Sequence, residues 1–394
     1  MGRRASTVLV SPTGALLGML PAIDLDCPYW PESADVVSEI GARFGVQVIM
    51  LRLLTVEPGR KSGGAVTYLA ELASGAPRVA LLAIPDDVRA RAERPDPKRL
   101  PWAERGGPAR SLAWARSVVG DFTAVQQRTW NLSTLWRLQP ASGAEAVWLK
   151  QTPPFMHHEG AILRWLNDAV PSAAPTLLAD DGDGRTLLAH VDGHDLYGAS
   201  ADIRQQINVR LHDIQRAGAN AVDELVALGV PDRRGHKRGA HIRSALTTWS
   251  ADHPGLDRLL RRLDETLDRL DDCGLPATLV HGDNHPGNAR GSTRGMILLD
   301  WGDAFVGDPV TDLLRMTDGL SAAEAEPLQA RWCESWKRFA PRSTPEAAIS
   351  VAPFLTAMHG AAIFADFLAR IEETEWPYHR DDPPACLKLA ESFL

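Results

Sequence analysis

The run His281-Gly282-Asp283-Asn284-His285-Pro286-Gly287-Asn288 constrains this chain more than any other stretch. It is entered from apolar Ala277, Leu279 and Val280, and it is followed by Met296-Ile297-Leu298-Leu299-Asp300-Trp301-Gly302-Asp303. The apolar approach puts Asp283 at a strand end entering a Pro-Gly turn, and the segment between this loop and the strand-end Asp300 reads as a hairpin. Three oxygen-bearing side chains fall at fixed places along it: Asp283 on the stiff loop, Asn288 five residues on, and Asp300 at the end of the returning strand. A carboxylate and a neutral amide oxygen suit a hard divalent cation that takes few protein ligands and keeps its waters. Either segment alone reads as a surface turn. Both together, in order and each behind an apolar strand, point to one site.

The pattern H-x-D-x-x-x-x-N followed by a strand-end Asp resembles the aminoglycoside phosphotransferase and choline kinase superfamily of small-molecule kinases. Asp300-Trp301-Gly302-Asp303, Gly307-Asp308-Pro309 and Asp312-Leu313 extend the match. Gly282 stands where eukaryotic-type protein kinases carry Arg, which indicates the small-molecule branch. The resemblance covers roughly residues 118 to 394. It implies an α+β, bilobal protein-kinase-like fold with a small β-rich N-lobe and a mainly helical C-lobe. It also implies ATP and Mg2+, and transfer of the γ-phosphate to a hydroxyl of a small polar acceptor. Sugars, amino sugars, aminoglycosides, other antibiotics and choline-like alcohols all suit the scaffold. The extra N-terminal domain and the aromatic, acidic tail lean toward a sugar, amino sugar or aminoglycoside-like compound. By that resemblance Asp283 is the catalytic base, Asn288 and Asp300 are metal ligands, and Asp303 is a metal-side or acceptor-side carboxylate. Gly307-Asp308-Pro309 and Asp312 are a structural turn and helix cap.

The nucleotide-binding lobe is sought upstream. Glu145-Ala146-Val147-Trp148-Leu149-Lys150 reads as a strand ending in one of only six lysines, against thirty-six arginines. Arginine is this chain's default cation, so a lysine here suits a compact charge beside the α- and β-phosphates. Glu159, opening an apolar helical pattern, is the expected partner of Lys150. The turn Thr129-Trp130-Asn131-Leu132-Ser133 stands where a phosphate-covering loop belongs and has no glycine. Backbone amides and the Ser133 hydroxyl remain as phosphate contacts, and the missing glycines leave open a catalytically silent, nucleotide-binding or regulatory protein. Arg185 to Gly193 reads as the last strand running into a hinge, with Ala189 to Val191 against adenine.

Four segments are expected. Residues 1–82 form a small α/β cap or docking domain. Its stretch Ser38 to Val46 faintly resembles the helix of a Nudix box: Glu39 and Gly45 match, but Ala42 and Arg43 replace the metal-binding glutamates, so hydrolase chemistry is not expected. Residues 83–117 read as a linker with one or two short helices, 118–192 as N-lobe and hinge, and 193–394 as a helical C-lobe. Ile203, Ile207, Leu211 and Ile214 make one helical face, and Leu259, Leu260, Leu263, Leu267 and Leu270 another. The apolar stretch from Phe354 to Ile371 reads as helical with a break around His359-Gly360. Its acidic, aromatic tail places Glu375, Trp376, Tyr378 and Asp381 as acceptor-binding candidates, because aromatics stack on sugar rings and carboxylates bind hydroxyls or an ammonium.

A net charge of −8 argues against a nucleic-acid surface and favours a cationic acceptor. Four scattered cysteines with no C-x-x-C pair indicate neither zinc nor a disulfide framework. No apolar run of membrane-spanning length and no secretory h-region stand out, so a cytoplasmic enzyme is expected.

Overall fold

A computed structural model describes residues 2–251, 253–292 and 295–394. The chain divides into two compact units, the first comprising Met1–Pro154, Leu178–His190 and Phe367–Arg380.

The first unit opens with a four-stranded sheet built from β1 (Arg3–Val10), β2 (Leu16–Leu25), β3 (Gln47–Val56) and β4 (Gly64–Ser74), in the order β2-β1-β4-β3. β1 runs parallel to β4, and the other pairs are antiparallel. Side chains alternate between faces. Leu9, Met50 and Tyr68 meet α1 (Ala34–Phe44) through Val36, Ile40 and Phe44, while Val8, Val10 and Leu51 meet α2 (Asp86–Glu93) through Val88 and Ala92. Gly45 ends α1 in the left-handed region, φ 71°, its amide returning to the Gly41 carbonyl. Ser33 precedes the helix without capping it; its hydroxyl donates to the Pro31 carbonyl instead.

Residues 83–117 hold more structure than short linker helices. Beyond α2, α3 (Gly107–Val119) runs for 13 residues, with Pro108 in its first turn. Ala115, Leu112 and Trp114 pack it against the second sheet. That sheet joins β5 (Phe122–Thr129), β6 (Thr134–Pro140), β7 (Val147–Gln151), β8 (Leu177–Asp180) and β9 (Arg185–Ala189) in the order β5-β6-β7-β9-β8.

The acidic tail of the apolar stretch is part of this unit's interior. Glu375 is 3% exposed and lies in a 3-10 helix over Glu373–Tyr378; its Oε1 accepts the Leu53 amide of β3 at 2.9 Å. Tyr378 sits edge-on to both Trp30 and Trp130, and the His379 ring nitrogen lies 3.3 Å from Asn131 Oδ1. Burial, helped by the charge of Glu372, pushes the Glu375 carboxyl up to about 8.

A carboxyl raised in the fold above its ordinary value of 4.5 keeps its proton there while the unfolded chain has lost it. The fold is therefore penalised progressively as pH climbs from about 4.5 to about 8, and fully above that. Glu375→Gln keeps the acceptor for Leu53 and removes the titration. Its melting temperature should exceed wild type by about 5 °C or more at pH 9. At pH 5 the two should nearly coincide, a comparison that differential scanning fluorimetry makes directly.

The second unit comprises Phe155–Leu177, Val191–Asp366 and Asp381–Leu394. Its helices are α4 (His158–Ala169), α5 (Ala201–Ala219), α6 (Val222–Ala227), α7 (His236–Leu246), α8 (Leu256–Asp271), α9 (Val310–Thr317), α10 (Ala322–Phe339), α11 (Pro345–Arg370) and α12 (Asp382–Glu391). Leu256, Leu259, Leu263, Leu267 and Leu270 form one buried stripe of α8 in a core shared with Trp332, Trp336, Leu355 and Met358. The expected break at His359-Gly360 is absent, and α11 continues through both residues. A Cβ at Gly360 would come within 3.3 Å of Cys386 Sγ, so the glycine serves close packing against α12 and not a helix end. α11 is long and apolar enough to cross a membrane, yet Leu355, Met358, Ala361 and Ala362 on it are fully buried in the protein.

Candidate active site

Two short antiparallel pairings in the second unit carry the motif. β10 (Thr278–Val280) pairs with β13 (Phe305–Gly307), and β11 (Ala289–Ser292) pairs with β12 (Gly295–Leu298). The loop after β10 is held from below by Asp312, fully buried on α9. Its Oδ2 accepts the His281 amide at 2.9 Å and the Gln215 side chain at 3.0 Å, and its Oδ1 accepts the Gly282 amide at 3.0 Å. Burial pushes this carboxyl up, against the donors that favour its charge. Asp312 thus fixes the loop backbone, beyond the cap role expected of it.

Gly282 has φ 85°, and a Cβ there would sit 2.2 Å from the Asp303 carbonyl oxygen. Only glycine combines that dihedral with so close an approach. Gly282→Ala must displace either the loop or the Asp303 backbone. Because misplacement of about 1 Å can cost ~10²-fold in rate, a steady-state assay should show kcat down by that order.

Asp283 is half-buried and engaged on both oxygens. Arg315 Nε donates to Oδ1 at 3.0 Å; Asn288 Nδ2 donates to Oδ2 at 3.2 Å, with His285 Nε2 at 3.4 Å from the same oxygen. His285 Nδ1 accepts the Gly287 amide at 3.0 Å, which leaves the proton on the nitrogen facing Asp283. Burial raises the Asp283 carboxyl, but the His285 hydrogen bond and the Arg315 guanidinium outweigh it and hold it below the usual carboxylate range.

The hairpin register brings the metal-ligand candidates together. Leu299 donates its amide to the Asn288 carbonyl at 2.8 Å, so Asn288 and Asp300 flank the open end of the β11–β12 pair. Asn288 Nδ2 is committed to Asp283, at 3.0 Å to its carbonyl and 3.2 Å to its carboxylate, which turns the Oδ1 end elsewhere. Asp300 is exposed, and with φ 61° it is one of two non-glycine residues in the left-handed region among those described. Such strain concentrates at functional sites. Its neighbours fix it: His281 Nε2 is 2.9 Å from the Leu299 carbonyl, the His281 and Trp301 rings are 4.5 Å apart, and Glu159 Oε1 accepts the Trp301 amide at 3.0 Å. Among the described residues no group of three or more His, Cys, Asp or Glu side chains is placed to hold a metal. One carboxylate and one amide oxygen match magnesium, whose remaining ligands are waters and phosphates.

Other expected site residues lie as follows. Lys150 is on β7, 8% exposed, paired in register with Leu135 and Thr186. The Ser133 hydroxyl accepts the Trp130 indole at 3.2 Å within the tight β5–β6 turn, and Trp102 donates to the Trp130 carbonyl. Ala189 ends β9 opposite Val147. The Val191 carbonyl accepts from Arg290 at 2.9 Å, and Arg290 also pairs with Asp195. Asp303 adjoins Gly282 through its backbone. Glu375 belongs to the packed interior of the first unit and the half-buried Tyr378 packs against its core, while Trp376 and Asp381 are at the surface.

Sequence reasoning missed His285, Arg315 and the Glu159–Trp301 contact. The one available signal was helical spacing: Arg315 lies three residues after Asp312, hence on the same face of α9.

The sequence profile of a phosphotransferase enzyme family matches residues 134–345. Among solved structures, a macrolide 2'-phosphotransferase from Brachybacterium faecium aligns with TM-score 0.50 and 20% identity, covering 71% of this chain and 97% of that one. An ethanolamine kinase from Plasmodium vivax aligns with TM-score 0.51 and 11% identity, covering 71% and 84%. At these identities the alignments speak to fold: a kinase-like α+β fold with a β-rich N-terminal portion and a helical C-terminal part. No curated protein matches the chain in sequence.

Proposed function

This chain belongs to the phosphotransferase enzyme family, a family of small-molecule kinases, and from that premise we propose that it moves the γ-phosphate of ATP to a hydroxyl of a small polar acceptor. The observation that supports this most is the Asp283 carboxylate, held in one orientation by Arg315, His285 and Asn288. The acceptor oxygen forms a bond to the γ-phosphorus while the bond from that phosphorus to the β,γ-bridging oxygen breaks. ADP departs, and the hydroxyl proton passes to Asp283. A carboxylate held below its usual range is ionised throughout the neutral region and is a weak base in the ground state. Its main work is to aim the hydroxyl, with the proton moving late, as a loose phosphoryl-transfer transition state allows.

Asn288 and Asp300 would hold magnesium, which when bound offsets the charge on the phosphates. Lys150 supplies a compact cation for the α- and β-phosphates. Glu159 secures the turn carrying Asp300 through the Trp301 amide. Within this proposal the acceptor is a sugar, amino sugar or aminoglycoside-like compound, and the net charge of −8 favours one that is cationic.

Coupled ADP release across an acceptor panel, with magnesium and ATP fixed, tests the proposal. Turnover that depends on a sugar-type hydroxyl compound supports it in full. Turnover only with choline-like alcohols would replace the acceptor class. Nucleotide binding without acceptor-dependent release anywhere on the panel would refute transfer in favour of a silent nucleotide-binding protein.

A further inference from the structure

A cavity of about 430 Å³ opens in the second unit between α5 and α10, and none of Asp283, Asn288, Asp300 or Asp303 lines it. Arg216, Arg331 and Arg338 converge on it with Asp213 as the one carboxylate in its wall. In a chain with 50 acidic against 42 basic residues, three guanidiniums gathered around one acid run against the overall balance. None of the three forms an ion pair among the described residues. Arg216 is held 5.5 Å over the Phe339 ring, which fixes its plane beside the cavity.

The floor adds a second observation. Asn208 is 5% exposed, and its Nδ2 has no partner among the described residues; Gln205 Oε1 and His212 Nδ1 are buried and equally unpartnered. Buried amide and imidazole atoms ordinarily find hydrogen bonds, and these three side chains all belong to the cavity's lining. The His212 ring is fixed edge-on to Trp336 at 4.9 Å, and Trp332 and Phe339 give the cavity apolar walls.

We propose that this cavity is a binding site for a small organic anion, carrying phosphate or carboxylate, distinct from the catalytic loop. Guanidinium forks match the paired oxygens of either group. Gln205, Asn208 and Ser335 give the lining neutral polar groups for the remainder of the ligand, and the aromatic walls cover its apolar side.

Calorimetric titration of the full chain, without magnesium and at fixed ionic strength, uses inorganic phosphate and citrate as probes and chloride as the control. The expected result is saturable binding of phosphate, citrate or both. It should weaken about tenfold or more in the Arg216→Ala/Arg338→Ala double variant and in Asn208→Leu, and remain unchanged in Asp300→Asn. Tighter phosphate binding identifies a phosphate-bearing ligand, and tighter citrate binding a carboxylate. No saturable binding of either, or binding undiminished in the variants, overturns the proposal. Should the double variant fail to melt cooperatively, Arg331→Gln at an exposed position reads out the same loss.

Discussion

Replacing Asp283 with Asn should lower kcat by about 10²–10⁴-fold, the usual contribution of a positioned general base. Nucleotide affinity should stay near wild type. The substitution keeps the side chain's size and one oxygen acceptor while removing the charge that Arg315 and His285 address. Because Asp283 is half-buried at a loop and not in the core, the variant should fold. Single-turnover kinetics separate the outcomes: loss confined to the transfer step agrees with this role, and loss of ATP binding with normal transfer contradicts it.

Replacing Asp300 should act on a different step. Outer-shell changes around metals already cost about 10–100-fold in affinity, so removing a direct ligand should weaken magnesium-dependent nucleotide binding by ~10²-fold or more. The choice of variant matters, because this residue sits at φ 61°. Asn tolerates the left-handed region far better than Ala, so Asp300→Asn removes charge with little backbone penalty, whereas Asp300→Ala confounds the two. Titrating nucleotide with and without magnesium should show wild type gaining affinity from the metal and Asp300→Asn gaining little. Equal gains would remove Asp300 from the metal site.

The parts of this site that were legible in the sequence are those set by local chemistry. The segment between the loop and the apolar run to Leu298 read as a hairpin, and the β11–β12 register places Asn288 and Asp300 at its open end; the apolar approach to His281 pairs instead with β13, which no local pattern records. α5 and α8 followed from apolar spacing in the same way. Tertiary contacts carried what was not legible. Glu375 and Tyr378 sit in a stretch whose acidic, aromatic composition reads as an acceptor-binding surface, yet Leu53, Trp30 and Trp130 engage them inside the first unit, and no local pattern records those partners. Gly360 looked like a helix break because its reason for being small, the approach of Cys386, lies in another helix. Arg315 was passed over because its partner is 32 residues away in sequence.

The most direct test of the central claim is phosphorus NMR of the reaction of ATP, magnesium and the best acceptor from the panel, run in parallel with wild type and Asp283→Asn. The expected spectrum shows a phosphomonoester of the acceptor growing with ADP for wild type and almost none for the variant. ATP conversion to ADP and inorganic phosphate alone, or an acceptor phosphomonoester formed equally fast by both proteins, would contradict the account.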